Sequence, residues 1–280
     1  MLAELLVPIF LPGLAFLAIL LVLKPEHRGR WSGLVGGCVL PLATLVGFVY
    51  EGAWPSSFSD WHRLPLILAG AGLLSAGLCW LPLGVQRWSA PLALGALAGV
   101  LGAFPDMETS DQCLLGLSVV VSVKWWMLAS EATLGRLGGL GAWASCVALA
   151  PMALDGGFTT LMILSASGAT IAGALVLAPQ SLTPSGGGAM LLGVLLPLLA
   201  WCGCSYDYAE APWWQWAGVA GLPVAIILFF DPSTSTEGHP RRPWLTGLIR
   251  AIFVVVLLGW LLQPTLDSLV GPADDPYGSY

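Results

Sequence analysis

The chain has 280 residues, of which 57% are hydrophobic and only 9% charged, with a formal net charge of -6. Its mean hydropathy is +0.83, and a globular domain carries about 25% charged residues to stay solvated, so a water-soluble fold, disorder, a coiled coil and collagen are all excluded. The solvent this surface calls for is the lipid bilayer, and the expected class is an all-α, polytopic integral membrane protein.

Runs of about 17 to 25 apolar residues cross a bilayer. Cutting the sequence wherever charge or a polar Pro/Gly cluster interrupts its hydrophobicity predicts ten spans. The first, 2–23, is followed by Lys24, Arg28 and Arg30. Glu4 stands where a secretory leader would be basic, and the basic cluster follows the apolar run, which argues against a signal peptide. The second span, 33–50, carries Pro41 near its middle and ends on Tyr50 and Glu51. Spans 64–85 and 89–104 flank Arg87, and the fifth, 113–130, contains Lys124. The sixth, 137–154, follows Arg136, and the seventh, 158–178, is rich in hydroxyls, among them Ser165 and Ser167. The eighth, 189–204, carries Pro197 and leads to Tyr206 and Asp207. The ninth and tenth are 214–230 and 245–263, the latter preceded by Arg241 and Arg242 and containing Arg250, with a polar tail at 271–280.

Basic residues should gather on alternate loops if this division is right. One side receives Lys24, Arg28, Arg30, Arg87, Arg136, Arg241 and Arg242, and the other only Arg63. The first side is therefore expected in the cytoplasm of a cell (inner) membrane, with both termini outside. The tryptophans fall mainly at span ends, as interfacial anchors. The six cysteines read as small apolar fillers, since the three histidines, His27, His62 and His239, are too few and too scattered in loops to complete a metal site.

Displacing the chain by 156 positions aligns Gly37, Leu40, Pro41, Leu42, Gly47 and Tyr50 with Gly193, Leu196, Pro197, Leu198, Gly203 and Tyr206, and Glu51 with Asp207. Spans one to four then look duplicated as spans seven to ten, giving repeat one over 1–110, bridging spans over 111–157 and repeat two over 158–270. An even displacement of six spans preserves direction, so the repeats would be parallel, related by an axis along the membrane normal. Pro41 and Pro197 each remove a helical hydrogen bond, and matched interruptions in two halves point to a binding site where freed carbonyls face a cavity, or to packing alone.

A cation at the centre of a spanning helix costs about 2.5 to 3.5 kcal/mol on insertion scales, so it needs a reason. Arg250 can snorkel to the inner surface. Lys124 is expected to lean back toward the bilayer middle, because helical side chains tilt toward the N-terminus, and to need an internal partner. Carbonyls near Pro41 or Pro197, the hydroxyls of Ser165 and Ser167, or a bound anion are candidates, and a structural pair or partial snorkel is the alternative. Tyr50 with Glu51 and Tyr206 with Asp207 could form a pseudo-symmetric acidic mouth.

Nucleotide, haem, zinc-protease and serine-hydrolase motifs are missing, and no basic stretch suits nucleic acid. The sequence therefore leads to a non-enzymatic membrane protein without cofactor, metal or catalytic residues. The expectation is a small-solute or ion transporter with a midplane site between the proline-kinked helices. Its alternative is a non-catalytic subunit or assembly factor beside partner membrane subunits.

Overall fold

The computed structural model describes residues 2–52, 54, 60–102, 107–131, 135–178, 182, 186–207, 210–230, 252, 255–263 and 265–266. These residues form α1 (Leu2–Val22), α2 (Pro25–Tyr50), a 3-10 turn (Asp60–Arg63), α3 (Leu64–Leu78), α4 (Leu83–Leu101) and α5 (Thr109–Glu131). Then follow α6 (Gly135–Asp155), α7 (Thr159–Leu177), α8 (Gly187–Tyr206), α9 (Trp213–Ala220) and α10 (Leu222–Phe230), and residues 255–263 are also helical. No strand occurs among the described residues. Arg241, Arg242, Trp244, Arg250 and the tail 271–280 lie outside them.

Among the described residues, five helices are long and apolar enough to cross a membrane: Glu26–Tyr50, Thr109–Ala129, Arg136–Asp155, Thr159–Leu177 and Gly187–Tyr206. The chain is thus a helical, multi-pass membrane protein by composition and by structure. Leu, Val and Trp side chains are broadly exposed, Val22 at 88%, Leu177 at 74% and Trp80 at 69% among them, which only lipid can accommodate.

Three boundaries depart from the sequence reading. The basic segment after the first span is mostly helix, because Pro25 pre-sets the first turn of α2 and Glu26 complements its positive end. Arg28 then reaches back to carbonyls at and just beyond the end of α1, its Nε donating to the Leu23 oxygen (3.1 Å) and an Nη to that of Leu21 (3.2 Å). The third span ends early, at Leu78, since Pro82 disfavours helix at Leu81 and starts α4. The ninth span is two helices broken at Gly221, where Pro223 brings no N–H to the ladder.

Glycines set how closely neighbouring helices approach. A Cβ added to Gly72 of α3 would meet the amide nitrogen of Gly37 in α2 at 3.2 Å, and one on Gly116 of α5 would sit 2.9 Å from the Gly95 carbonyl of α4. Small residues thus let backbones touch where larger ones would hold them apart. The innermost helix is α8, with 83% of its apolar window buried, whereas α5 has 33% and forms part of the flank. One end of the bundle collects Lys24, Arg28, Arg30, Arg87 and Arg136, and the other Glu51, Asp111, Asp155, Asp207 and Glu210.

Candidate functional site

The expected site lies between α2 and α8, and the structure closes that seam. A Cβ on Gly33 would fall 2.8 Å from the Cα of Gly187, and Ser32 Oγ accepts the Gly188 N–H at 2.8 Å. Ser32 thereby satisfies one of the orphan donors at the start of α8, which has no capping side chain of its own. Each matched proline stands one turn beyond a glycine that touches a neighbour: Gly37 meets the backbone of Gly72, and a Cβ on Gly193 would lie 2.8 Å from the Cα of Val123. Pro41 is buried in this packing and Pro197 is half-buried.

On α7, Ser165 and Ser167 are fully buried. Next to them, a Cβ on Gly168 would meet Leu195 of α8 at 2.9 Å and the Cys146 sulfur of α6 at 3.2 Å, so this face is close-packed too. Among the described residues the Ser165 hydroxyl has no hydrogen-bond partner, and the Ser167 carbonyl accepts from Thr170 at 2.8 Å. Neither of the two described cavities is lined by them.

Lys124 does not lean into the bilayer middle. Its ammonium donates to the Arg87 carbonyl of α4 at 3.0 Å and lies 4.1 Å from the centre of the Trp88 ring. The cause is Pro91: a helical carbonyl normally accepts from the residue four positions on, and Pro91 offers no N–H to Arg87. Lys124 therefore uses a carbonyl freed by a proline, as the sequence argument anticipated, but by a proline in another helix and close to the basic end. The Trp88 face adds a cation–π contact. The sequence carried the signal in the spacing of Arg87 and Pro91; what it could not show is that α5 turns Lys124 toward them.

At the acidic end the Glu51 carboxylate caps a helix, whereas that of Asp207 binds a loop amide and an indole. Glu51 Oε1 accepts the Thr160 N–H in the first turn of α7, which lacks a cap of its own. Asp207 Oδ2 accepts from the Ala211 backbone and from the indole of Trp216, both at 3.0 Å. Their partners differ, and so do those of the tyrosines. Tyr206 accepts the Trp61 N–H at 3.2 Å inside an aromatic cluster with Phe48, His62 and Phe158, whereas Tyr50 is exposed. Tyr50, Glu51, Tyr206 and Asp207 thus occupy one end of the bundle without forming a symmetric pair.

A cavity lies on the other side of α8. It has a volume of about 590 Å³ and is walled by Leu114, Leu117, Val121 and Trp125 of α5, by Pro197 and Trp201 of α8, and by the α9–α10 break. A second space of about 290 Å³ shares Ala200, Trp201 and Ala217 with it and reaches Cys204 and Trp213. The only hydroxyls along the larger one are Ser118 and Ser122, and Ser118 already donates to its own helix at Leu115 (2.7 Å). Of the sequence-predicted site residues, Pro197 alone lines this groove. Among the described residues, no group of three His, Cys, Asp or Glu side chains is placed to hold a metal ion. Compared with protein-family models, curated proteins and solved structures, the chain matches none.

Proposed function

We propose that the chain is a ten-span membrane protein of two parallel four-helix repeats, and that it transports a small solute of apolar or amphiphilic character through the α5–α8–α9/α10 groove. The groove carries this reading: its volume falls within the range of about 300–1,000 Å³ usual for small-molecule sites, it opens beside a broken helix, and it offers no charge. An ion as cargo has less support, because Lys124, Glu51 and Asp207 are each engaged in holding a helix.

The repeat draws support from the contacts of α8. Ser32 meets Gly188, and Gly36 abuts Leu191, so α2 and α8 run parallel at the displacement that aligns their sequences. Gly13 of α1 likewise packs on Thr170 of α7. The correspondence covers the first two helices of each half; α3 and α9 differ in length and packing. The basic end is placed in the cytoplasm by the positive-inside rule.

Transport is tested with purified protein in vesicles. Thermal stabilisation by one of a panel of apolar amphiphiles, followed by its protein-dependent movement across the bilayer, is the expected result. Lys124→Met should leave that movement unchanged per folded molecule. The alternative of a non-catalytic subunit is favoured by the close-packed α2–α8 seam, and it predicts copurifying membrane partners with no ligand response. For orientation, a membrane-impermeant thiol reagent applied from the cytoplasmic side should label Gly238→Cys and spare Ser57→Cys.

A further inference from the structure

We propose that the α3–α4 hairpin at the basic end binds the phosphate of an anionic phospholipid, with Arg30 and Lys124 contacting it and Trp80 and Trp88 as the shelves that hold these two cations. The inference goes beyond the transport reading and does not depend on what the cargo is. Residues 80–88 lead from the end of α3 into the second turn of α4. Two cations from other helices converge on this short stretch. The Arg30 guanidinium of α2 lies 4.9 Å from the centre of the Trp80 ring, and the Lys124 ammonium of α5 lies 4.1 Å from that of Trp88.

The charge at this place is unbalanced. Among the described residues neither Arg30 nor Lys124 has a carboxylate partner, and the nearby Glu26 faces His27 at 3.6 Å. Lys124 commits one N–H to the Arg87 carbonyl, so two of its three donors remain. The Arg30 side chain is exposed, and a guanidinium fork matches two oxygens of a phosphate. Exposed Arg87 adds positive charge on the same hairpin. Resting on a ring face narrows the freedom of both long side chains, so less is lost when they close on an anion.

The surroundings call for a lipid and not a soluble anion. Trp80, Leu81, Leu83, Val85 and Trp88 are all exposed beside the cations, whereas Gln86 is turned inward and fully buried. Val85, Trp88 and Leu92 follow at helical spacing on one exposed stripe of α4. Over its seven residues that stripe leads about 10 Å from the cations toward the bilayer interior. A phospholipid meets both halves of this surface, its phosphate on Arg30 and Lys124 and its acyl chain along the stripe. An anionic headgroup is favoured because a zwitterionic one would bring an ammonium to a surface that is already cationic.

The test uses the full chain in phosphatidylcholine nanodiscs with a minor fraction of either phosphatidylglycerol or phosphatidylcholine carrying a photoreactive group in the upper acyl chain, and peptide mapping of the crosslinks. The glycerol lipid should label Leu83, Val85 and Leu92 in excess of the choline lipid by about fivefold for each of the two cations, the factor that about 1 kcal/mol per basic residue at an anionic surface gives. Val100, exposed near the other end of α4, should show no such excess. Arg30→Gln and Lys124→Gln should each lower the excess about fivefold, Arg30→Lys should keep most of it, and choline-lipid labelling of Val100 should stay unchanged, showing that the protein is folded. If Lys124→Gln fails that control, Arg30→Gln decides alone. Equal labelling of the hairpin by the two lipids, or an excess that survives Arg30→Gln, overturns the site. Loss of the excess on adding inorganic phosphate, with ionic strength matched by chloride, overturns the lipid in favour of a soluble anion. Crosslinks from the hairpin to a copurified protein in place of lipid overturn the occupant.

Discussion

The two sides of α8 are built from the same kinds of residue and end up opposite in character. Toward α2 the backbones touch at Gly33 and Gly187, and the nearby polar groups are consumed in capping. Toward α9 and α10 the helix presents Pro197, Ala200 and Trp201 to a partner that is broken at Gly221, and a gap of about 590 Å³ remains. Small residues therefore do not by themselves predict a cavity or a contact. They produce contact when the facing helix is continuous and also small, and a groove when it bends away.

The comparison breaks most readily on the closed side. Gly33→Leu would drive a side chain into the Gly187 backbone, which cannot yield as a flexible side chain can. A loss at the upper end of about 1–3 kcal/mol is expected, read as a fall in monodisperse yield and melting temperature in detergent. Gly77→Ala, where an added Cβ meets nothing within 4 Å, should instead leave stability equal or slightly raised. A similar loss at both positions would show that the α2–α8 seam is not close-packed.

Lys124 gives a sharper test because its partner is a backbone group. Lys124→Met removes the charged donor to the Arg87 carbonyl and should cost about 1–3 kcal/mol. Pro91→Ala supplies the N–H that this carbonyl lacks, so in the double variant the penalty of Lys124→Met should shrink. Strict additivity in melting temperature would mean that Pro91 is not the reason for the bond. Next in size, Glu51→Ala removes the cap on α7 and should cost about 0.5–2 kcal/mol, with Glu51→Gln intermediate. Proteolysis or hydrogen exchange localised to the first turn of α7 would report it. On the open side, Ala217→Trp should shift stability least, by about 0.5 kcal/mol or less, as surface substitutions do.

Much of the fold is legible in the residues, and the site much less so. The positions of α1, α7 and α8 follow from uninterrupted apolar runs, and their ends agree with the predicted spans to within two residues. The start of α2 at Pro25 was available in the Pro-Glu pair but hidden by the charge around it. The break at Gly221 was equally written in Gly-Leu-Pro, yet a tolerated proline and a breaking one look alike until the neighbouring helix is known. Ser165, Ser167 and Lys124 looked functional because polar groups in lipid need partners; Lys124 finds its own in the Arg87 carbonyl of α4, 37 residues earlier.

The amino-acid sequence determined that this chain lives in lipid, where its main helices run, and which charges share an end, because those properties depend on composition and on the local hydrogen-bond ladder. Tertiary structure decided which prolines matter, which carboxylates cap, and on which side of α8 a space is left. Those outcomes depend on how each helix is rotated against its neighbours. A rotation of a third of a turn exchanges a buried seam for a lipid-facing groove, and nothing in one helix's own residues sets that angle alone.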